Sequence, residues 1–306
     1  MVELGVGTRG VTPIALTFQI GARTLASVDR SLIRVPYTLD AVLAAAPPVL
    51  PPLDGDGYLI TSLPEPLLPT IQRDGMIGYV RQRYVRYHAD FSVGHEAWLA
   101  ALSGSARATI KRKTKKVAAA SGGTLDIRAY RTPDEFAAFH PLARRVSART
   151  YQEKLLGAGL PAAGDSLHRL IELAAADCVR AWLLSIAGEP VAYLCCTARG
   201  GTLLYTYVGH DPGYNDLSPG TVLQAEAMTQ LFDDRFARFD FTEGEGQHKR
   251  LFATGGTRCV DLLLLRPTLA NRATVAALAG FDAAVAVAKR AAASPLLARI
   301  ARRVRR

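Results

Sequence analysis

The chain has 306 residues, of which 49% are hydrophobic and 21% charged; this balance is typical of globular proteins and excludes a chain that is disordered throughout. No apolar run approaches about 20 residues and the N-terminus lacks the features of a secretory signal, so neither a membrane-spanning helix nor secretion is predicted, and a cytoplasmic location is expected. The formal net charge of +10 favours anionic partners such as nucleic acid, acidic lipid, coenzyme A or an acidic carrier protein.

The cysteines predict reduced, buried thiols. Their positions show no CxxC spacing: Cys178, Cys195, Cys196 and Cys259. Because neighbours in a strand point to opposite faces, Cys195 and Cys196 are expected on opposite sides of a sheet. Neither a disulfide nor a metal site is therefore predicted.

Residues 1–95 are predicted to form a smaller α/β domain. Two proline-rich passages, at 46–58 and 62–70, interrupt short strand-like segments such as IGYVRQRYVRYH at 77–88. The sequence leaves open whether this domain is a degenerate second copy of the fold that follows it.

A basic helix at 96–123 is predicted to connect this domain to the next. Alanine and lysine favour the helix, and the pair Gly122-Gly123 ends it. Lys111 and Lys115 are neighbours at i and i+4, so their repulsion disfavours the helix unless anions meet them. Three cations are predicted to bind phosphate groups of a substrate: Arg107, Lys111 and Arg112. A solvated helix face is the alternative interpretation of this charge run.

The first elements of the next region have clear local signals. A strand at 124–130 precedes a helix that starts with a capping box, in which Thr132 is the N-cap, Pro133 follows and Glu135 completes the motif. A second helix is predicted from one apolar stripe: Leu167, Leu170, Ile171 and Ala174.

Three strands follow, separated by the hairpin-length turns GEP and RGG. Alternation in the third strand predicts that Tyr205, Tyr207 and Gly209 share one face. A helix with Ser218 as N-cap, a strand at 236–241, a short helix and a last strand complete the series. The order predicts an α/β fold of the α+β kind with a mixed, mainly antiparallel sheet.

This order and several motifs resemble a known fold and family. From about residue 124 to 266 the elements resemble the GNAT acyltransferase fold. The motifs beyond about residue 90 resemble the acyltransferase-like, BioF-like proteins related to the cellulose-biosynthesis protein CelD, which are akin to the FemAB peptidyltransferases. These motifs are the helix WLAALSGSARATIKRKTKKV, Ser218-Pro219-Gly220, Phe239-Asp240, Gly244 and His248-Lys249. One position departs from the family's pattern. The residue before Lys249 is His248, whereas the family usually has a Tyr there.

The resemblance implies a GNAT acyltransferase domain at 124–268 and, after it, an Ala/Arg-rich helical tail at 269–306. It implies transfer of an acyl group from acyl-CoA, or from an acyl carrier protein, to an amine of an acceptor in envelope, exopolysaccharide, peptide or lipid modification. Free N–H groups at a helix start favour the pyrophosphate, with a simple N-cap as the alternative. The implied cofactor-binding residues are Tyr207, Val208, Gly209, Ser218, Gly220, Thr221 and Val222.

The stretch RFDFTEGEGQHKR supplies candidate catalytic groups. Asp240 lies between two phenylalanines and is costly to bury without a partner, so it is expected either to act as the base or to form a buried ion pair with Lys249. Glu243 is the rival base. Lys249 could polarise the carbonyl or bind a phosphate, and His248 could protonate the thiolate.

Two other functions stay open. One is transfer from aminoacyl-tRNA, as in FemAB relatives, which would make tRNA the one expected nucleic-acid partner. The other is a non-catalytic protein that binds anions or nucleic acid through the basic helix. The segment SPLLARIARRVRR at 294–306 could lie on the anionic inner membrane as a peripheral contact, or could be a solvated helix end.

Overall fold

The structure is a computed structural model that describes residues 10–21, 23–71, 75–150, 153, 159–244 and 246–293. The strands are β1 Val11–Ile20, β2 Arg23–Pro36, β3 Gly57–Pro64, β4 Ile77–Asp90, β5 Asp126–Tyr130, β6 Val179–Ile186, β7 Glu189–Arg199, β8 Thr202–His210, β9 Arg238–Asp240 and β10 Gly255–Leu265. The helices are α1 Leu39–Leu43, α2 Leu68–Ile71, α3 His95–Ala101, α4 Gly104–Ala120, α5 Pro133–Ser147, α6 Asp165–Ala175, α7 Pro219–Leu231, α8 Gln247–Phe252 and α9 Leu269–Ala293. Over these ranges, no helix is long and apolar enough to cross a membrane.

The chain divides into two compact units, Met1–Arg83 with Cys259–Arg306 and Tyr84–Arg258. The boundary between the units passes through β4 and through β10, so that each of these strands belongs partly to one unit and partly to the other. The second unit thus begins within β4 and includes the basic helix α4, whereas the second half of β10 lies in the first unit.

The first unit contains the strand order β1-β2-β3-β10-β4. The pairs β1/β2 and β3/β10 are antiparallel, and β2/β3 is parallel. Its core joins leucines of the sheet to α9: Leu16, Leu32, Leu263, Leu265 and Leu278. The idea that this unit is a second copy of the same fold stays a prediction. The terminal segment 294–306, with its predicted membrane contact, lies outside the described residues.

The second unit contains the order β4-β9-β8-β7-β6-β5. The predicted series of strand, two helices, three antiparallel strands, helix, strand, helix and strand is confirmed. The capping box at Thr132 and Glu135 is present. In the stripe of α6, Leu170 and Ala174 are buried, but Ile171 is 44% exposed, because only part of that stripe reaches the core.

A bulge interrupts β8 at Thr206. Tyr207 pairs with Cys195 and Tyr205 pairs with Cys196, so Thr206 has no opposite residue. Tyr205 and Cys196 therefore pack with the core on the α7 side, and Tyr207 and Cys195 pack with the core on the α5 side. The prediction that Cys195 and Cys196 lie on opposite faces is confirmed. The prediction that Tyr205 and Tyr207 share a face is wrong, because strand alternation assumes an uninterrupted strand.

Candidate active site

A cleft opens where β8 and β9 part. The two strands pair in parallel only from Thr202–Leu204 to Arg238–Asp240, and β8 then continues to His210 while β9 ends. The backbone groups of β8 that face this side beyond Leu204 are therefore available to a ligand instead of a strand. The residues that follow β9 turn away and lead into α8.

The carboxylate of Asp240 lies beneath this cleft in a buried ion pair. Arg86 of β4 donates from Nε to Oδ1 at 3.1 Å and from Nη2 to Oδ2 at 2.5 Å. Asp240 is fully buried and the Arg86 side chain is 6% exposed. Burial alone would lower the pKa of Arg86, but the hydrogen bond and charge of Asp240 outweigh it and raise the pKa. The ion pair of Asp240 is thus formed with Arg86 and not with Lys249, and a catalytic role for Asp240 stays a prediction.

The turn after β9 is held by unusual backbone angles. Thr242 has a φ of 60° and Gly244 a φ of 82°, a region that β-branched residues rarely occupy. The N–H of Thr242 donates to Asp240 Oδ1 at 2.8 Å, which offsets part of this strain. Lys249 Nζ donates to the carbonyl of Glu243 at 2.5 Å, so Lys249 also fixes the turn.

Burial lowers the pKa of Lys249, and the charges of Asp240 and Glu243 only partly offset this effect. Lys249 is 9% exposed, whereas Glu243 is exposed. Of these groups, the Glu243 carboxylate is therefore the one that solvent reaches directly.

His248 lies at the mouth of the cleft. Its ring stands 5.8 Å from the ring of Tyr205 and lies close to Gly246, where a Cβ would be 2.8 Å from His248 Cε1. Partial burial by these walls lowers the pKa of His248, and the charge of Lys249 lowers it further. The imidazole is consequently neutral near pH 7.

The start of α7 faces the same cleft without a side-chain cap. Ser218 takes the N-cap position with a φ of 54°, but its side chain accepts no hydrogen bond from the helix. The capping role predicted for Ser218 is therefore wrong, because a left-handed residue aims its hydroxyl away from the first turn. Instead, Lys113 of α4 places Nζ 3.3 Å from Thr221 Oγ1. An uncapped helix start beside an ammonium group is suited to an anion.

A cavity of about 580 Å³, called the groove below, runs between α4, the start of α7 and α8. It is lined by Ser105, Ala106, Thr109, Lys113, Thr221, Gln247, His248, Arg250 and Leu251. Its volume lies within the range of about 300–1,000 Å³ that is usual for ligand sites. The groove therefore brings Thr221 and His248, two residues predicted from sequence, to one site.

The cations predicted to bind phosphate lie elsewhere on α4. Arg107 donates to the carbonyls of Leu99 and Ala100 at 3.2 and 3.0 Å and so closes the turn after α3. Lys111 and Arg112 are exposed. Lys113 belongs to the same basic run, and the sequence analysis did not select it.

A buried amide also escaped the sequence analysis. Gln224 of α7 is 3% exposed, and its Oε1 accepts a hydrogen bond from Tyr205 at 3.4 Å. Within the described part of the chain its Nε2 has no hydrogen-bond partner. Such a donor is rare in a protein interior, and it lies one helical turn below Thr221 beside the tyrosine that packs on His248.

Gly209 packs closely against the core, and its predicted contact with the cofactor stays a prediction. A Cβ there would lie 2.6 Å from Thr150 Cγ2 and 2.7 Å from Tyr193 Cε1. We expect Gly209→Ala to lower the free energy of unfolding by about 1–3 kcal/mol through overpacking, measured by urea denaturation. Gly220→Ala is the matched control, because its Cβ would meet only His210 Nδ1 at 3.7 Å. Equal stability of the two variants would contradict the close packing at Gly209.

Comparisons with known proteins give one family match. Residues 104–250 match the family model described as an acetyltransferase (GNAT) domain, and no curated protein matches the chain.

Similar solved structures include the C-terminal domain of a putative lysylphosphatidylglycerol synthetase from Agrobacterium fabrum (11% identity, covering 73% of this chain and 72% of that chain, TM-score 0.49). Others are FemX (8%, 83% and 88%, 0.46) and a GCN5-related N-acetyltransferase from Kribbella flavida (13%, 86% and 93%, 0.36). At these identities and scores the likenesses say nothing about substrate.

The matched range begins at the first residue of α4 and ends within α8. It therefore contains the parted strand β8, the uncapped helix start and His248. The GNAT fold predicted from the sequence is confirmed, and residues 104–250 are similar to the acetyltransferase (GNAT) domain of the family model.

Proposed function

We propose that the protein is an N-acyltransferase that moves an acyl group from acyl-CoA to an amine. The observation that carries the proposal is the uncapped start of α7, with Lys113 Nζ 3.3 Å from Thr221 Oγ1 on the wall of the groove. Pro219 has no N–H, and the N–H groups of Thr221 and Val222 donate to the carbonyl of Ser218 at 3.1 and 3.4 Å. The N–H of Gly220 is therefore the donor of the first turn that we assign to the ligand. This N–H and the ammonium of Lys113 fit one phosphate of the pyrophosphate of coenzyme A.

The transfer needs a group that moves one proton. The amine nitrogen bonds to the thioester carbonyl carbon, the C–S bond breaks, and the proton lost by the amine must reach the leaving thiolate. His248 is neutral near pH 7 because its pKa is lowered, so it accepts this proton first and returns it to the thiolate afterwards. The role predicted from sequence, proton donation to the thiolate, becomes the second half of this cycle.

The carbonyl oxygen gains negative charge during the attack and needs hydrogen-bond donors. The unpartnered Nε2 of Gln224 and the N–H groups of β8 beyond Leu204 are the donors that we assign to it. Lys249 and Asp240 act indirectly, since they hold the turn on which His248 is mounted. Glu243 is assigned to the incoming ammonium group, which its exposed carboxylate meets. The ammonium group gives one proton to solvent before the attack, and the neutral amine then gives its next proton to His248.

One observation favours a second candidate, an aminoacyl-tRNA-dependent transfer. Five cations of α4 are exposed: Arg107, Lys111, Arg112, Lys115 and Lys116. The sequence of α4 contains no acidic residue, so a long polyanion would find an uninterrupted basic surface next to the groove. An acidic acyl carrier protein would meet the same surface. The CelD-like, BioF-like relationship and an acceptor in envelope or exopolysaccharide modification are part of the proposal, and the acceptor's identity is open within it.

The test compares Lys113→Ala with Lys115→Ala in calorimetric titrations of CoA, acetyl-CoA and charged tRNA at one fixed salt concentration. A lost charge-assisted bond is worth about 1.5–3 kcal/mol, so we expect Lys113→Ala to weaken CoA binding by about 10- to 100-fold. Lys115 is exposed on the same helix, and its variant should keep wild-type affinity for CoA.

If the two variants bound CoA with equal affinity, the phosphates of CoA would not bind at Lys113 in the groove. Binding of charged tRNA without any binding of CoA would replace acyl-CoA as the donor. Binding of either ligand with no transfer to any amine would favour a non-catalytic protein.

A further inference from the structure

A second cavity continues the groove at its far end. It has a volume of about 550 Å³ and lies between α3, the start of α4 and the end of α8. Its apolar lining includes Val93, Ala97, Trp98, Ala101, Leu102 and Leu251. We call it the tail cavity.

The tail cavity and the groove share wall residues. Ala106, Arg250 and Leu251 line both, so the two spaces adjoin. A helix rises about 1.5 Å per residue, which places Lys113 roughly 10 Å from Ala106 along α4. His248 lines the groove as well, so a ligand that extends from Lys113 to the shared wall lies in the same space as His248.

The side chains on the floor of the tail cavity need no hydrogen bond from a ligand. Trp98 is 3% exposed, and its indole N–H already donates to the carbonyl of Phe252 at 3.1 Å. Leu102 is 8% exposed beside it. Polar groups, including Arg250 and Thr254, stand on the wall. A space of this size can hold an apolar chain along its apolar floor, with the polar groups beside it on the wall.

We propose that the tail cavity binds the acyl chain of the donor, so that the protein uses a medium- or long-chain acyl group in preference to acetyl. The inference rests on the proposed function, because it takes the groove as the site of the donor's phosphates and His248 as the position of the thioester. Each methylene that enters the cavity should tighten binding by up to about fourfold, which is the transfer free energy of a buried CH₂ expressed as an affinity ratio.

The test is a chain-length series. The full chain is titrated by calorimetry with CoA, acetyl-CoA, hexanoyl-CoA, octanoyl-CoA and dodecanoyl-CoA. We compare the wild type with Ala101→Trp, which fills the cavity from the exposed end of α3, and with Ala100→Trp, whose neighbouring position does not line it. Circular dichroism melts establish that all three proteins are equally folded.

In the wild type we expect the affinity to rise at least tenfold from acetyl-CoA to octanoyl-CoA. Ala101→Trp should bind CoA and acetyl-CoA as the wild type does and lose the increase with chain length, and Ala100→Trp should keep it. A flat series in a wild type that binds CoA would overturn the inference and leave the proposed function standing. If affinity still rose with acyl-chain length in Ala101→Trp, the inference would also be overturned, because the acyl chain would then bind outside the tail cavity. Failure of every CoA compound to bind would overturn the proposed function itself.

Discussion

Arg86→Leu is expected to lower the free energy of unfolding by about 3–5 kcal/mol, because it leaves the carboxylate of Asp240 buried without its counter-ion. The two side chains form a forked pair, with bonds of 3.1 and 2.5 Å, and Asp240 has no exposed surface. Asp240→Leu should have an effect of the same order, since it strands the guanidinium instead. Urea denaturation at pH 7, followed by far-UV circular dichroism, measures both.

Two controls separate the buried charge from other causes of instability. Arg128→Leu removes an exposed pair with Asp126, in which the arginine side chain is 73% exposed, and should change stability by only about 0–1 kcal/mol. The double variant Arg86→Leu/Asp240→Leu should recover most of the loss, because two apolar side chains can replace a buried ion pair. If Arg86→Leu were as mild as Arg128→Leu, the pair would not be a desolvated one.

This ion pair shows where sequence reasoning stops. Strand alternation predicts that Phe239 and Phe241 share one face, and their ring centroids lie 4.9 Å apart. Alternation also puts Asp240 on the other face, where a buried acid needs a partner. It could not find Arg86, which is 154 residues away along the chain, because strand pairing between distant segments leaves no local signal.

The sequence predicted helix capping correctly where the hydrogen bonds depend only on residues within one turn. The capping box at Thr132 depends on residues within one turn, and it formed as predicted. Ser218 carries an equally good capping side chain, yet its left-handed backbone prevents the bond. The difference arises from the preceding turn Pro212–Leu217, which sets the backbone of Ser218 before the helix begins.

The orientation of α4 could not be predicted for a related reason. Val117 is the one residue of α4 that is buried, so the sequence contains too few apolar positions to fix which face of the helix meets the domain. The basic run was recognisable, but the rotation that turns Lys113 inward and Lys111 outward depends on contacts with α7. The bulge at Thr206 is likewise set by the neighbouring strand, and it reversed the face of Tyr207.

His248→Ala is expected to lower kcat by about 10²- to 10⁴-fold, the usual contribution of a general acid–base group. The assay measures release of the CoA thiol from acyl-CoA with the best acceptor in a panel of amines. His168→Ala is the control, because His168 is exposed on α6, away from the groove. The fold should survive in both variants, since neither ring makes a buried ion pair.

The pH profile gives the mechanism its sharper test. A base must be unprotonated in the free enzyme, so kcat/KM should rise with pH through the pKa of His248 and level off above it. Burial and the charge of Lys249 put that pKa below its ordinary value of 6.5, and the inflection should therefore lie on the acid side of 6.5. His248→Ala should lose the inflection, and His168→Ala should retain it. If the inflection persisted without His248, another group would be the base, and Glu243, the exposed carboxylate of the same turn, would be the next residue to replace.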